Sequence, residues 1–491
     1  MTSFTPINLT VDEARLERAV QRARERGVLI PTFAQMQDPS RIPEEIQAEL
    51  RHIGLWDLHP RNLFRITWHN EPVERGGGFG PVNVLEFPAT LTGVRARILA
   101  LVGKWFPTGA HKVGAAFGCL VPRLVTGQFD PTAQKAVWPS TGNYCRGGAY
   151  DSALLGCASI SILPEGMSRE RFVWLESIGS EVIKTPGTES NVKEIFDKCW
   201  ELRASGEDLM IFNQFEEFGN YLWHYAVTGK AMEEVLVDHL GPRDTFRGLT
   251  VTTGSAGTIA SGDYLKQVFP QAKIAAGEAL QCPTLTENGF GEHRIEGIGD
   301  KHVPWIHNVK NTDMTIAIDD NAVVRLARLF NEPVGRAYLV RQGVPEDFVA
   351  RLGLLGFSGI ANLLMAIKFA KYYELDEHDF VITVLTDSMD LYQSRLKEMR
   401  IAHGEYTEAD AAADFARYLL GADLDHVQEL TYVDRRRIHN LKYFTWVEQQ
   451  GKTSDELRAQ WYDRDYWKHI QALVPEIDAL IEDFNRRVLQ G

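Results

Sequence analysis

Between about residues 90 and 400 the chain alternates short apolar or β-branched runs with helix-length amphipathic segments. "ARILALVG", "KAVWPS", "ASISILPE", "SEVIKTP", "LMIFNQF", "GLTVTTG", "AKIAAGEA" and "FVITVLTD" read as strands, because branched and apolar side chains suit a buried pleated surface. Their alternation with helices predicts an α/β fold of βαβ units, with parallel sheets covered on both faces. Ligands in such sheets bind beyond the C-terminal ends of the strands, so the turns that follow are where chemistry is expected.

The flanks read differently. Thr10 and Glu13 have the spacing of a capping box, and the amphipathic run after them stops at Gly27, predicting a helix with both ends marked. More polar sequence continues to about residue 85, and within it "RGGGFGP" (75–81) ends in proline with no helix after it, so it reads as a flexible turn rather than a phosphate loop. After about residue 400 the strand signal disappears and long amphipathic, aromatic stretches predict helices. The expected organisation is an N-terminal extension (1–85), a catalytic core (86–400) containing a mobile small subdomain at about 140–225, and a helical C-terminal extension (401–491). Whether that last region packs on the core, covers its mouth or forms an oligomer contact is left open.

Charge narrows the partners. Acidic residues outnumber basic ones, 66 to 52, and the net charge of -14 opposes nucleic-acid phosphates and anionic membrane surfaces. Neither nucleic acid nor membrane is an expected partner. Cys119, Cys145, Cys157, Cys199 and Cys282 are scattered without CxxC spacing, which predicts free buried thiols and no metal site. The first twenty residues lack a basic-then-apolar signal pattern and no run is long enough to span a bilayer, so a cytoplasmic location is expected.

Three turns carry candidate chemistry. In "WPSTGNYCRGGAYDSALLG" (138–156) a strand runs into Ser140, Thr141, Gly142 and Asn143 at a helix start, where unpaired N–H groups and hydroxyls suit a carboxylate or phenolate. In "LTVTTGSAGTIASGDYL" (249–265) small residues allow backbone N–H groups to close around a phosphate, with Ser255 and Thr258 as extra donors. Lys112 in "PTGAHKVGAAFG" (107–118) sits behind a turn and ahead of small residues that suggest close packing. A lysine in a desolvated cleft loses basicity, becomes nucleophilic and forms a Schiff base with a carbonyl. Lysine, phosphate cradle and anion loop together match the needs of pyridoxal 5'-phosphate.

On these motifs the sequence resembles the fold-type II pyridoxal phosphate-dependent enzymes, the group of cysteine synthase, the tryptophan synthase β-subunit and the serine/threonine dehydratases. "TGAHK" (108–112) is similar to the Schiff-base segment of the tryptophan synthase β-subunit, whereas "STGN" (140–143) and "LPEGMSRERFVWLESIGSEVI" resemble cysteine synthase. "GSAGT" (254–258) resembles the cofactor-phosphate loop, "HRIEGIG" (293–299) a cleft-lining segment, and "GFSGIA" (356–361) the turn whose serine meets the pyridine nitrogen. The likeness covers about residues 85–395 and implies two open parallel-sheet subdomains with the cofactor in the cleft, in a homodimer.

Residue by residue, the resemblance implies that Lys112 binds the cofactor and shuttles the substrate α-proton. Asn143 would meet the ring oxygen, Ser358 the ring nitrogen, and Gly254, Ser255, Ala256, Gly257 and Thr258 the phosphate. Ser140, Thr141, Gly142, Gln214 and Gly297 would contact a small amino acid substrate. Tyr144 stands where cysteine synthase has a small hydroxyl residue, and is expected either to crowd the carboxylate site or to act as an acid or substrate contact. The helix after this loop lacks the glutamate that serves indole addition, which disfavours a tryptophan synthase.

The implied activity is β-elimination or β-replacement on a small amino acid through an aminoacrylate, as in cysteine synthase. An ammonia-lyase of the serine/threonine dehydratase kind, giving a keto acid, is the alternative. A racemase and a non-catalytic scaffold are more distant rivals, the scaffold being opposed by the presence of the lysine, the loop asparagine and the phosphate turn.

Overall fold

The computed structural model describes residues 6–490; Met1–Thr5 and Gly491, at the ends of the two extensions, lie outside the described residues. Among the described residues eleven strands form two sheets: β1 (Val84–Phe87), β2 (Arg97–Val102), β3 (Lys135–Pro139), β4 (Ser159–Pro164), β5 (Glu181–Thr185), β6 (Leu209–Ile211), β7 (Thr245–Thr252), β8 (Lys273–Ala279), β9 (Met314–Ile318), β10 (Asp379–Leu385) and β11 (Val427–Glu429). The larger sheet runs β1-β2-β10-β7-β8-β9-β11 and the smaller runs β5-β4-β3-β6. All eight expected strands are present, and β1, β9 and β11 are additional to them.

Two departures share one cause. The central strands pair in parallel, but β1 runs antiparallel to β2 and β11 antiparallel to β9. These edge strands are three and four residues long and carry charged side chains such as Glu86 and Glu429, too little apolar pattern to register in the sequence. The region after residue 400 is therefore not purely helical: β11 returns to cap the large sheet beside β9. By contrast β9 and β10 are buried at every position, as expected of parallel strands covered on both faces.

The helices that position the site are α1 (Glu13–Arg26), α2 (Lys112–Val125), α3 (Asn143–Leu155), α4 (Arg169–Ser177), α5 (Phe218–Trp223), α6 (Ala260–Val268), α7 (Phe357–Tyr372), α8 (Tyr432–Lys442) and α9 (Val474–Leu489). Gly27 ends α1 in the left-handed conformation as expected, but the N-cap is Asp12, whose carboxylate accepts from the Arg15 N–H; Thr10 is exposed and outside the helix. An aspartate one residue before a helix satisfies an orphan donor and the dipole together, which displaces the threonine from that role. The glycine-rich stretch forms a turn closed by the Glu71 N–H to Gly78 carbonyl bond.

The two extensions meet each other. Arg24 of α1 donates to the Arg487 and Val488 carbonyls of α9, and Asp478 of α9 accepts from the Phe33 and Ala34 N–H groups. Lys442, at the end of α8, is buried and donates to the Trp305 and His307 carbonyls and to Gln460 Oε1. That packing fixes the segment following residues 293–299. All five cysteines are free and buried, and no helix among the described residues is long and apolar enough to cross a membrane.

Candidate active site

Three of the expected site segments follow the C-terminal end of a strand, whereas the lysine turn, residues 293–299 and the Ser358 turn do not. Ser140–Gly142 follow β3, Gln214 follows β6 and Gly254–Thr258 follow β7. Lys112 opens α2, which small residues allow to press against α3 and α5. A Cβ on Gly147 would lie 2.7 Å from Val113 Cα, and one on Gly118 would lie 2.3 Å from the Gly219 carbonyl oxygen. The alanines and glycines after the lysine therefore serve close helix packing, which takes the amine out of water.

Lys112 Nζ donates to Ser255 Oγ at 3.0 Å and to Gln214 Oε1 at 3.3 Å. Burial lowers its pKa to about 8, against the opposing pull of Cys119 and Glu189. A fraction of the amine is then uncharged near neutral pH, as a nucleophile and base requires. His111 and His224 pack edge to face nearby, and burial holds both rings well below the usual histidine range, so they are neutral.

The loop Gly254–Thr258 is braced by Asn220, whose Nδ2 donates to Ser255 Oγ at 3.0 Å and to the Gln214 carbonyl at 3.0 Å. Ala256 adopts φ +63°, the left-handed region. In a residue with a Cβ this costs about 1–3 kcal/mol, and it is a conformation that turns consecutive N–H groups toward a common anion. Gly257 has no room for a side chain, since a Cβ would fall 2.1 Å from Asn220 Oδ1.

The anion loop is tied to the lysine. Gln214 Nε2 donates to Ser140 Oγ at 3.1 Å, so one amide links Ser140 to Lys112. Thr141 donates its hydroxyl to Glu189, a buried acid that burial pushes up to about 8 against the pull of Arg171. Asn143 Nδ2 donates to Asp387 Oδ2 at 2.6 Å. Gly297, at φ +100°, abuts Ser358: a Cβ there would lie 3.7 Å from the serine Oγ.

Tyr144 departs from its expected role. Its phenol donates to the Phe212 carbonyl at 3.0 Å and its ring packs edge-on against Trp138, inside the apolar wall. Burial raises its pKa well above the usual tyrosine value, so the side chain is a neutral core group and not an acid or substrate contact. The aromatic ring is the reason: next to Trp138 and Phe212 it gains more from apolar contact than from facing a polar cleft.

Five other residues enter the site without having been read from the sequence: Arg171, Glu189, Asn220, Asp387 and Tyr392. Asp387 comes two residues after the end of β10 and is the only one with a positional signal, being the last residue of "FVITVLTD". The others come from partners 35 to 221 positions away in sequence, which no local pattern reports.

The set fits a phosphorylated, ring-bearing aldehyde. Asn143 Oδ1, Asn220 Oδ1, His224 Nε2, Thr253 Oγ1 and Ser358 Oγ are buried polar atoms without a protein partner. Each costs about 1–3 kcal/mol while unpaired, a penalty that a polar ligand in this cleft relieves.

Comparison with known proteins agrees with this geometry. Residues 79–387 match the family model described as "Pyridoxal-phosphate dependent enzyme". The chain is similar to cystathionine beta-synthase of Saccharomyces cerevisiae, 24% identical over 327 residues that cover 65% of this chain and 61% of the yeast protein. It is also similar to cysteine synthase of Staphylococcus aureus, 28% identical over 291 residues, covering 59% of this chain and 84% of that one. Among solved structures, an O-acetylserine dependent cystathionine beta-synthase from Helicobacter pylori superposes with a TM-score of 0.53 at 23% identity, covering 64% and 94% of the two chains. An O-acetyl serine sulfhydrylase from Entamoeba histolytica does so with a TM-score of 0.54 at 21% identity, covering 68% and 92%. A lysine turn, a phosphate cradle and an asparagine loop folded into one cleft, under a family model spanning well over half the sequence, place this chain in the family of pyridoxal phosphate-dependent enzymes of fold type II.

Proposed function

We propose that this enzyme catalyses β-elimination and β-replacement on a small amino acid bearing a leaving group on its β-carbon. The carrying observation is the Gln214 amide, which accepts from Lys112 on one side and donates to Ser140 on the other. A substrate carboxylate held by Ser140, Thr141 and Gln214 sets its α-carbon beside the Lys112 amine. With its pKa near 8 that amine takes and returns the α-proton. The cofactor, when bound, supplies an electron sink for charge released at that carbon. Gly254, Ser255, Ala256, Gly257 and Thr258 hold its phosphate, Asn143 donates to its ring oxygen, and Ser358 faces its ring nitrogen. Because Ser358 is a neutral hydroxyl, it does not enforce a charged ring nitrogen, which favours prompt loss of a β-substituent over a long-lived carbanion.

The names of the relatives, cysteine synthase and cystathionine beta-synthase, support replacement by a sulfur nucleophile over release of a keto acid. Five free thiols support a reducing, cytoplasmic setting, and we take a homodimer as the working assembly. The test is the visible spectrum of the pyridoxal phosphate-loaded full chain on adding O-acetylserine or serine, followed by product analysis with sulfide or a small thiol. A new band and a sulfur-containing amino acid are expected. No spectral change and no consumption of any β-substituted amino acid overturns the reading, and a keto acid formed in the presence of thiol transfers it to the lyase alternative.

A further inference from the structure

Asp387 is completely buried between the two sheets' site loops. Its Oδ2 accepts from Asn143 Nδ2 at 2.6 Å and from the Tyr392 hydroxyl at 2.6 Å. Tyr392 in turn accepts from Arg171 Nη2 at 3.0 Å, and Arg171 Nη1 donates to the Thr141 carbonyl at 2.6 Å. On its other side Asp387 meets the start of α7, the helix that carries Ser358. Its carbonyl accepts from the Gly356 N–H at 3.2 Å, and a Cβ on Gly356 would fall 1.9 Å from Asp387 Oδ1. One side chain therefore touches the supports of both Asn143 and Ser358, from lobes built on different sheets.

An ionised carboxylate only accepts hydrogen bonds, so an amide facing it must present its nitrogen. Burial raises the Asp387 pKa above the usual carboxylate range, and the two donors on Oδ2 with the Arg171 and Arg146 guanidiniums pull against it; with both bonds arriving on Oδ2, that oxygen acts as an acceptor toward Asn143. The orientation of Asn143 is thereby fixed by its partner. Among the described residues the second Nδ2 hydrogen of Asn143 has no acceptor, and its Oδ1 has no donor.

We propose that Asp387 is a positioning residue for the cofactor: it locks the Asn143 amide with one N–H committed to itself and the other presented to the ring oxygen. This rests on the cofactor reading above. With asparagine in place of Asp387 the partner can donate as well as accept, both amide orientations become possible, and the N–H facing the ring is no longer guaranteed.

The test is a double-mutant cycle on the full chain, using Asn143→Ala, Asp387→Asn and the pair. The readouts are the dissociation constant for pyridoxal phosphate, from quenching of tryptophan fluorescence, and the pH midpoint of the visible band. Asp387→Asn is expected to weaken binding about tenfold or more, the scale of one charge-assisted hydrogen bond, and to move the midpoint. In the Asn143→Ala background it should change binding by no more than about twofold, because its route to the cofactor is gone. Additive losses in the double variant, or a single variant with the wild-type constant and midpoint, overturn the proposal. Thermal melts establish that each variant is folded, and Asp387→Ser replaces Asp387→Asn in the cycle if that variant is not. Failure of the wild-type chain to form a visible band that Lys112→Ala removes sinks the cofactor reading itself, a result distinct from a normal wild type with an indifferent Asp387→Asn.

Discussion

Lys112 Nζ lies 3.0 Å from Ser255 Oγ, joining a turn of the large lobe to the phosphate loop 143 positions later. This contact requires the amine to be out of bulk water and beside an anion-binding helix start, the two conditions that make a lysine a Schiff-base nucleophile. Lys112→Ala is predicted to abolish borohydride trapping of pyridoxal phosphate, read as a missing mass adduct. Turnover should fall by at least about a thousandfold, because base and nucleophile vanish together. The melting temperature of the cofactor-free variant should equal or exceed the wild type, since a partly desolvated amine is replaced by a methyl group.

Ser358 supplies the second prediction. Its hydroxyl is buried and unpaired in the protein, so Ser358→Ala removes an unsatisfied group and should leave the cofactor-free chain as stable as before, by urea denaturation. Ser358→Asp should act in the opposite sense. It buries a carboxylate that favours a protonated ring nitrogen, slowing β-elimination relative to α-proton exchange. The ratio of those two rates, from deuterium exchange at the α-carbon against product formation, should rise about tenfold or more.

The contrast between these two residues and Asp387 shows what a sequence exposes. Lys112, Ser140, Ser255 and Ser358 were legible because each sits in a small-residue turn next to a strand or at a helix start, a local arrangement with a local chemical reason. Glu189 and Arg171 were not, because their partners are distant in sequence: Glu189 meets Thr141 across 48 positions and Arg171 reaches Tyr392 across 221. Tyr144 was misread for a related reason, since adjacency to Asn143 says nothing about which face of α3 it occupies until Trp138 and Phe212 are in place. Strands β1 and β11 escaped notice as short edges whose pairing comes from the neighbouring strand rather than from their own pattern.

Glu189 makes the stability pH-dependent, with a definite sign. Its pKa is raised from 4.5 to about 8 by burial, so between those values the folded chain holds a proton that the unfolded chain has lost. Binding more protons when folded means that this contribution is complete below the unfolded value and is lost as pH rises toward the folded one. Glu189→Gln cannot ionise and should be spared that loss. The urea midpoints of variant and wild type should be similar at about pH 5, and the variant should be more stable by a few kcal/mol at about pH 8.5. Equal slopes of stability against pH for the two proteins would contradict the assignment.

The C-terminal extension should be part of the folded core and not an optional tail. Lys442 has no exposed surface and gives all its donors to the Trp305 and His307 carbonyls and Gln460, while Trp446 Nε1 donates to the Val303 carbonyl at 2.8 Å. The Val303, Trp305 and His307 carbonyls lie on the segment that continues from Gly297–Gly299, where the Gly299 N–H is bonded to the Thr253 carbonyl beside Gly254. Lys442→Met keeps the aliphatic stem but leaves Gln460 Oε1 without its donor and takes one of two donors from the Trp305 and His307 carbonyls, and should cost about 1–3 kcal/mol of stability. Trp446→Phe loses one hydrogen bond and some packing, and should cost about 1–2 kcal/mol. Because the segment they hold borders the cofactor cradle, Lys442→Met should also weaken pyridoxal phosphate binding in the folded protein. Urea denaturation and fluorescence titration of the same samples check both effects, and a Lys442→Met chain with wild-type stability would show the extension to be energetically separate from the core.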